Sequence, residues 1–409
     1  MKSRPAETFL HVMYPVMRKS RQINRRNLLK LFGAPLFVGP ALGSARRKSV
    51  ATSLTSRLQQ FVQVRQIAGA VAIVSRFGRP VYFKAVGEQS IEDHTPMRTD
   101  TIFDIRSMTK AVTAVAVMCL IEDGKLKLED NVSDYLPEFA SIRVQRPGET
   151  LRPPSRRITV FDLLTHTSGI GVNRPKEIAI ITRVLDRTLA DIVKIIATQP
   201  LETDPGAPWK YASMGYAVLG RVVEVRSSKP YKDFVAERIL RPLEMRDSFF
   251  FPPRDKWPRL AAMYNMENGI LHRDLIDIYR KGAVYSGPEF GMFSTASDME
   301  KFLRMMLDGG SLDGKRVLSE QSVSTMLLPR VPTSLDGVWQ GLAWFICTDP
   351  DRQSALRISR GSFGVAGASG TFGWVDPGEK MIRLFLIQRF GGSDAERDTF
   401  MSLAADIRT

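Results

Sequence analysis

Ser107-Met108-Thr109-Lys110 is where residue types and spacing could do covalent chemistry. Residues three apart on a helix share a face, so the Lys110 amine can take the proton of the Ser107 hydroxyl. A serine activated in this way can attack a carbonyl and carry an acyl group. The spacing alone is weak, since roughly one or two such pairs arise by chance in a chain of ordinary composition and this length. This chain has one, and its context adds weight. Residues 107–121 are apolar nearly all round, which predicts a central, buried helix. Asp104 and Ser107 are both good helix starters. A hydroxyl at a helix N-terminus sits near free N–H groups and the positive end of the dipole. A buried ammonium is costly, so Lys110 must either be paired or give up its proton more readily. The alternative is a lysine that snorkels out of a buried helix.

The rest of the chain supplies elements that can position such a pair. Residues 67–75 and 80–86 read as strands joined by a Phe77-Gly78-Arg79 turn. Helices are predicted at Asp191–Ala197, Tyr216–Val225, Phe234–Leu240 and Ser297–Leu307, in a turn-rich stretch from 125 to about 308. The pattern changes after 335: Trp339–Cys347, Phe372–Val375 and Met381–Gln388 read as strands, and Ala395–Ile407 as a closing helix. Strands at both ends around a helical middle imply an α/β fold, one antiparallel sheet built from both chain ends. The expected organisation is a sheet domain from residues 46–124 and 300–409, with residues 125–299 a mostly helical insertion. The Arg- and Pro-rich segment 141–158 reads as a surface loop.

Charge and cysteines exclude other classes. The chain carries +15, but residues 1–50 hold eleven Lys or Arg and one Glu, a net of +10, leaving only +5 for the remaining 359 residues. No basic stripe interleaved with aromatics appears, so no nucleic-acid partner is expected. The excess sits in an export-like segment. Asn24-Arg25-Arg26-Asn27-Leu28-Leu29-Lys30 resembles a twin-arginine motif, an apolar run follows from Leu31 to Leu42, and Gly43, Ser44 and Ala45 end it. Residues 1–45 are thus an expected export signal, recognised by the twin-arginine machinery and delivering the chain to the periplasm or beyond. The run falls short of the about 20 residues a span needs, so no stable membrane span is expected after signal removal. Cys119 and Cys347 read as small buried apolar groups. His11, His94, His166 and His272 show no metal-ligand spacing, and neither metal nor cofactor is expected. No Gly-x-Ser-x-Gly elbow supports a histidine triad.

Three segments carry a resemblance to a known family. Residues 103–138, with Ser107 and Lys110, resemble the active-serine segment of the penicillin-recognising serine hydrolases, which include class C beta-lactamases, DD-peptidases and carboxylesterases. Phe161-Asp162-Leu163-Leu164-Thr165-His166-Thr167-Ser168-Gly169-Ile170 and Gly291-Met292-Phe293-Ser294-Thr295-Ala296-Ser297-Asp298-Met299 resemble structural signatures of the same family, in the same order. The resemblance covers roughly residues 60–390 and implies a beta-lactamase-like (transpeptidase-like) fold. It implies Ser107 as nucleophile, Lys110 as its base and Tyr211 as base or proton shuttle, with Ser213 where the second motif more often has asparagine. It also implies a third motif on a strand beside the serine, either Val365-Ala366-Gly367 or Ala368-Ser369-Gly370. The first register fits better, because Gly370-Thr371 and Trp374-Val375-Asp376-Pro377 follow at the family's spacing. The backbone N–H groups of Ser107 and Ala368 are then the implied oxyanion hole.

Val365 stands where the family has Lys, His or Trp. An aliphatic side chain cannot attract a carboxylate, so the site should favour small neutral carboxylic esters or amides over beta-lactams. Arg360 and Arg389 are possible substitute cations or surface charges. Gly364 and Gly367 either admit substrate or serve local backbone geometry. Two other readings stay open: a beta-lactamase or D-amino-acid-type peptidase of the same fold, and a non-catalytic binding protein with an idle serine.

Overall fold

The computed structural model describes residues 40–171, 186–274 and 283–408. The Asn24–Lys30 motif lies outside the described residues, with all of 1–39. Helix α1 (Pro40–Gln63) leads into β1 (Gly69–Arg76) and β2 (Arg79–Ser90), the predicted hairpin, followed by β3 (Thr95–Pro96), β4 (Ile102–Asp104) and α2 (Thr109–Glu122). The middle of the chain holds α3 (Val160–Leu164), α4 (Leu189–Ala197), α5 (Met214–Ser227), α6 (Tyr231–Val235), β5 (Tyr264–Glu267), β6 (Ile270–Arg273), β7 (Phe293–Thr295) and α7 (Ala296–Leu307). A small hairpin, β8 (Ser311–Leu312) and β9 (Lys315–Arg316), precedes α8 (Glu320–Leu327). The last part supplies β10 (Val331–Pro332), β11 (Val338–Gln340), β12 (Phe345–Cys347), β13 (Phe363–Ala366), β14 (Phe372–Asp376), β15 (Met381–Leu386), β16 (Arg389–Phe390) and α9 (Ala395–Ala404).

Nine strands form one antiparallel sheet in the order β10-β11-β12-β13-β14-β15-β1-β2-β3. Its centre joins the two ends of the chain, with Val71 opposite Leu386 and Arg76 opposite Met381. Alternation along β1 divides the core. Ala70, Ala72 and Val74 pack with Leu54 and Leu58 of α1 and Phe400 and Met401 of α9, while Val71 and Ile73 share the other face with α2 and α7. Helix α2 buries every residue from Thr109 to Leu120, as expected for a helix apolar on all sides. The fold is therefore the beta-lactamase/transpeptidase type: a central antiparallel sheet flanked by helices, with a helical insertion.

Two local readings need correction. Trp339–Cys347 is not one strand but the hairpin β11–β12. Its turn is held by Gly341 N–H to Trp344 O and by Ala343 N–H to Leu164 O, with Ala343 at φ +73°. The helix predicted from Ser107 starts two residues later, at Thr109, and Ser107 lies in a 3₁₀ turn, Arg106–Met108. The cause is Asp104, whose carboxylate accepts the Arg106 N–H at 3.1 Å and turns the chain before the helix begins. Segment 141–158 is a loop, but fastened: Arg152 grips Asp204 through two guanidinium nitrogens, and Arg156 does the same to Asp162.

Candidate active site

The chain entering Ser107 is held from three sides. Strand β4 pairs with β7, and Ile105 N–H continues that ladder to Met292 O at 3.1 Å. Gln388 completes the free side of Asp104 with its carboxamide, accepting Asp104 N–H at 3.1 Å and donating to Asp104 O at 2.9 Å. From the third-motif hairpin, Ser369 Oγ donates to Asp104 O (2.9 Å) and Thr371 Oγ1 to Ile105 O (3.1 Å). Arg106 adopts φ +47°, a left-handed conformation unusual for a side chain of its size, immediately before the serine. Its guanidinium pairs with Asp104 at 3.0 Å and lies over the Phe390 ring at 5.0 Å.

Ser107 is half-buried, and Lys110, the second residue of α2, is 3% exposed. Lys110 Nζ donates to Ser107 Oγ at 3.0 Å and to Glu289 O at 2.7 Å. It also sits 5.1 Å from the centre of the Tyr211 ring and 5.7 Å from that of Tyr216. The lysine is thus held inside by hydrogen bonds and aromatic faces rather than snorkelling to solvent. The serine, the lysine and the tyrosine singled out in the sequence meet in one place.

His166 explains why Tyr211 is there. It occupies a turn at φ +59° after α3, where its carbonyl accepts Lys210 N–H (3.0 Å) and its Nδ1 accepts Ala212 N–H (3.2 Å). The two bonds bracket Tyr211, whose ring packs against the imidazole at 4.5 Å. Burial, helped by the nearby Lys110 charge, lowers the His166 pKa to about 3. The ring is therefore neutral and accepting on Nδ1, a positioning group and not the base. Beneath it, Asp162 closes a capping box on α3 with Thr159, accepts Thr167 Oγ1 at 3.2 Å and is gripped by Arg156. The sequence offered one sign of this: a histidine inside an otherwise apolar and hydroxyl-bearing run. Ser213, by contrast, stands half-buried at the N-cap of α5 without a side-chain capping bond.

The two segments considered for the third motif lie at the end of one strand and in the turn after it. Strand β13 ends at Ala366, and residues 367–370 form the turn, with Gly367 N–H bonded to Thr371 O and Gly370 N–H to Gly367 O. Val365 is 3% exposed, lies opposite Gly373 and joins the core on the α2 face. Ala368 is half-buried in the turn. The glycines serve the chain itself. A Cβ on Gly364 would lie 2.0 Å from Trp374 Cε3, and one on Gly367 would lie 2.4 Å from Ile105 O. Trp374 stacks on Phe372 on the far face of the sheet, and Phe293 packs with Ile102 and Leu260, so both are core. Arg360 is exposed and bonds Thr348 O. Arg389 is not a surface charge: it is 6% exposed and paired with Glu396.

Residues 54–406 match the family described as Beta-lactamase. The chain belongs to that family. Its membership makes the chain a serine-hydrolase-like enzyme and accounts for the order of the three motifs along it. Among curated family relatives, Esterase EstB of Burkholderia gladioli is 36% identical over 64% of this chain and 72% of its own length. Protein Rv1367c of Mycobacterium tuberculosis is 33% identical over 79% of this chain and 86% of its own. Among solved structures, "EstCE1, a hydrolase with promiscuous acyltransferase activity" superposes with a TM-score of 0.77 at 22% identity, over 88% of this chain and 99% of its own, which supports the family fold.

Proposed function

We propose that the protein forms an acyl-enzyme on Ser107 and hydrolyses small neutral carboxylic esters or amides. The observation that carries the reading is the buried Lys110 Nζ, 3.0 Å from the Ser107 hydroxyl and over the Tyr211 ring, which as a free amine can accept the serine proton. Lys110 and Tyr211 share the removal of the serine proton, and the alkoxide attacks the carbonyl carbon. The N–H groups of Ser107 and Ala368 receive the oxyanion. The leaving alcohol or amine takes a proton from the same pair, and water, or an acceptor alcohol, then releases the acyl group. The likeness to a named esterase supports this substrate class.

Val365 sets the preference. A substrate carboxylate gains no charge-assisted hydrogen bond there, and such a bond is worth about 1.5–3 kcal/mol. Short p-nitrophenyl esters should therefore outpace a penicillin or a cephalosporin in kcat/KM by about tenfold or more. Steady-state rates on the two substrate sets check this, and equal turnover of both would remove the role given to Val365.

The same proposal includes export through Asn24–Lys30 and residues 31–45. In a bacterial host, the full chain should reach the periplasm, and Arg25→Lys with Arg26→Lys should retain it in the cytoplasm. Fractionation and blotting would sink the idea if both forms distributed alike.

A further inference from the structure

We propose that the buried Arg389–Glu396 pair is a positioning device for the turn that carries the Ala368 amide. The inference rests on the acyl-serine reading above and extends it to residues outside the three motifs. Arg389 opens β16, and its backbone N–H donates to Ser369 O at 2.9 Å, tying the turn to the neighbouring chain. Its guanidinium lies against α9. There it pairs with the Glu396 carboxylate at the start of α9 and donates to Gln66 O at 2.7 Å and to Ser393 O. Both side chains are shut away from water, at 6% and 1% exposure. The chain wraps the guanidinium closely: a Cβ on Gly392, which sits at φ +82°, would lie 2.9 Å from Arg389 Cζ.

A buried pair of this kind gains little stability over an apolar one, because desolvation offsets most of the attraction. What it supplies is a fixed Arg389 backbone. A small cavity of about 30 Å³ adjoins the turn, lined by Gly367, Ala368, Gly370, Arg389, Asp394 and Glu396. The turn is incompletely packed on that side, and the Arg389 N–H anchor adds to the Ser369 and Thr371 hydroxyl bonds that tie it to the chain entering Ser107. Asp394 is engaged by Arg397 at 3.2 Å, which leaves Glu396 as the acid facing Arg389. An oxyanion donor loses its value when displaced by even a fraction of an ångström. The pair touches no reacting atom and moves no proton, so its effect should fall on kcat.

The test compares wild type, Glu396→Gln and Glu396→Ala on one p-nitrophenyl ester, with circular dichroism and melting curves to establish folding. The glutamine variant keeps the side-chain volume, so a measurement survives if the alanine variant does not fold. Both are expected to lose about tenfold to 100-fold in kcat, with KM changed by less than about twofold. Alanine opens the cavity beside an unpaired guanidinium. Formate should therefore restore Glu396→Ala in a saturable way, whereas formamide should not. Folded variants with wild-type kcat, or a loss in Glu396→Ala that formate and formamide relieve equally, would overturn the inference. Fluorophosphonate labelling of wild-type Ser107 tests the underlying reading separately. Labelled wild type together with unimpaired variants rejects the positioning role alone, whereas unlabelled wild type rejects both.

Discussion

Ser107→Ala is expected to lower ester turnover by at least about 10⁴-fold while leaving the fold intact. Ser107 is half-buried in the 3₁₀ turn ahead of α2, and its hydroxyl carries no helix cap. Its removal costs one hydrogen bond from Lys110, whose second donor bond to Glu289 O remains. The melting temperature should therefore move little while the chemistry disappears. Substrate binding to the folded variant, measured by calorimetry with a slow ester, should persist near the wild-type level, because the nucleophile contributes little to ground-state binding. A variant keeping a tenth or more of the wild-type rate would place the nucleophile elsewhere.

Lys110→Ala should lower kcat by about 10³-fold, within the range for loss of a general base. Lys110→Arg sharpens the test. Arginine restores a cation next to Tyr211 and a donor toward Glu289 O, but it stays protonated and cannot accept the serine proton. If the lysine served only as a fixed charge, arginine would recover much of the activity. With the lysine as base, arginine stays within about tenfold of alanine in kcat. The pH profile separates this from a histidine mechanism. His166 is held neutral down to about pH 3, so no histidine limb near pH 6.5 should appear in kcat. Retention of full activity by Lys110→Ala would sink the proposed base.

Much of the fold was legible because it depends on local pattern. The β1–β2 hairpin, the all-apolar helix after Ser107 and the C-terminal strands each announce themselves by period and by turn residues. The Ser107–Lys110 pair was legible because a three-residue separation, here across a 3₁₀ turn and the start of α2, brings both side chains to one face. Other features depend on long-range contacts, which pattern does not encode. Asp104 delays the helix start by turning the Arg106 amide onto its own carboxylate. Ala343 bonds Leu164 O across 179 residues and breaks one predicted strand into two. Gly364 could either admit substrate or serve local geometry, and only the fold shows that Trp374 of the next strand fills its open side. Arg389 could be read as a substitute cation or a surface charge, yet it is buried against Glu396 on the closing helix. His166 was visible only as part of a signature. That its carbonyl and ring bracket Tyr211 needs the fold.

In the proposed reaction Ser107 carries the acyl group. Incubating the wild-type protein and Ser107→Ala with a fluorophosphonate probe, followed by intact-mass and peptide mapping, tests it most directly. The account predicts one adduct per wild-type chain, located on the peptide containing Ser107, and none on the variant. No adduct under conditions that label a control esterase, or an adduct that persists in Ser107→Ala, would contradict it.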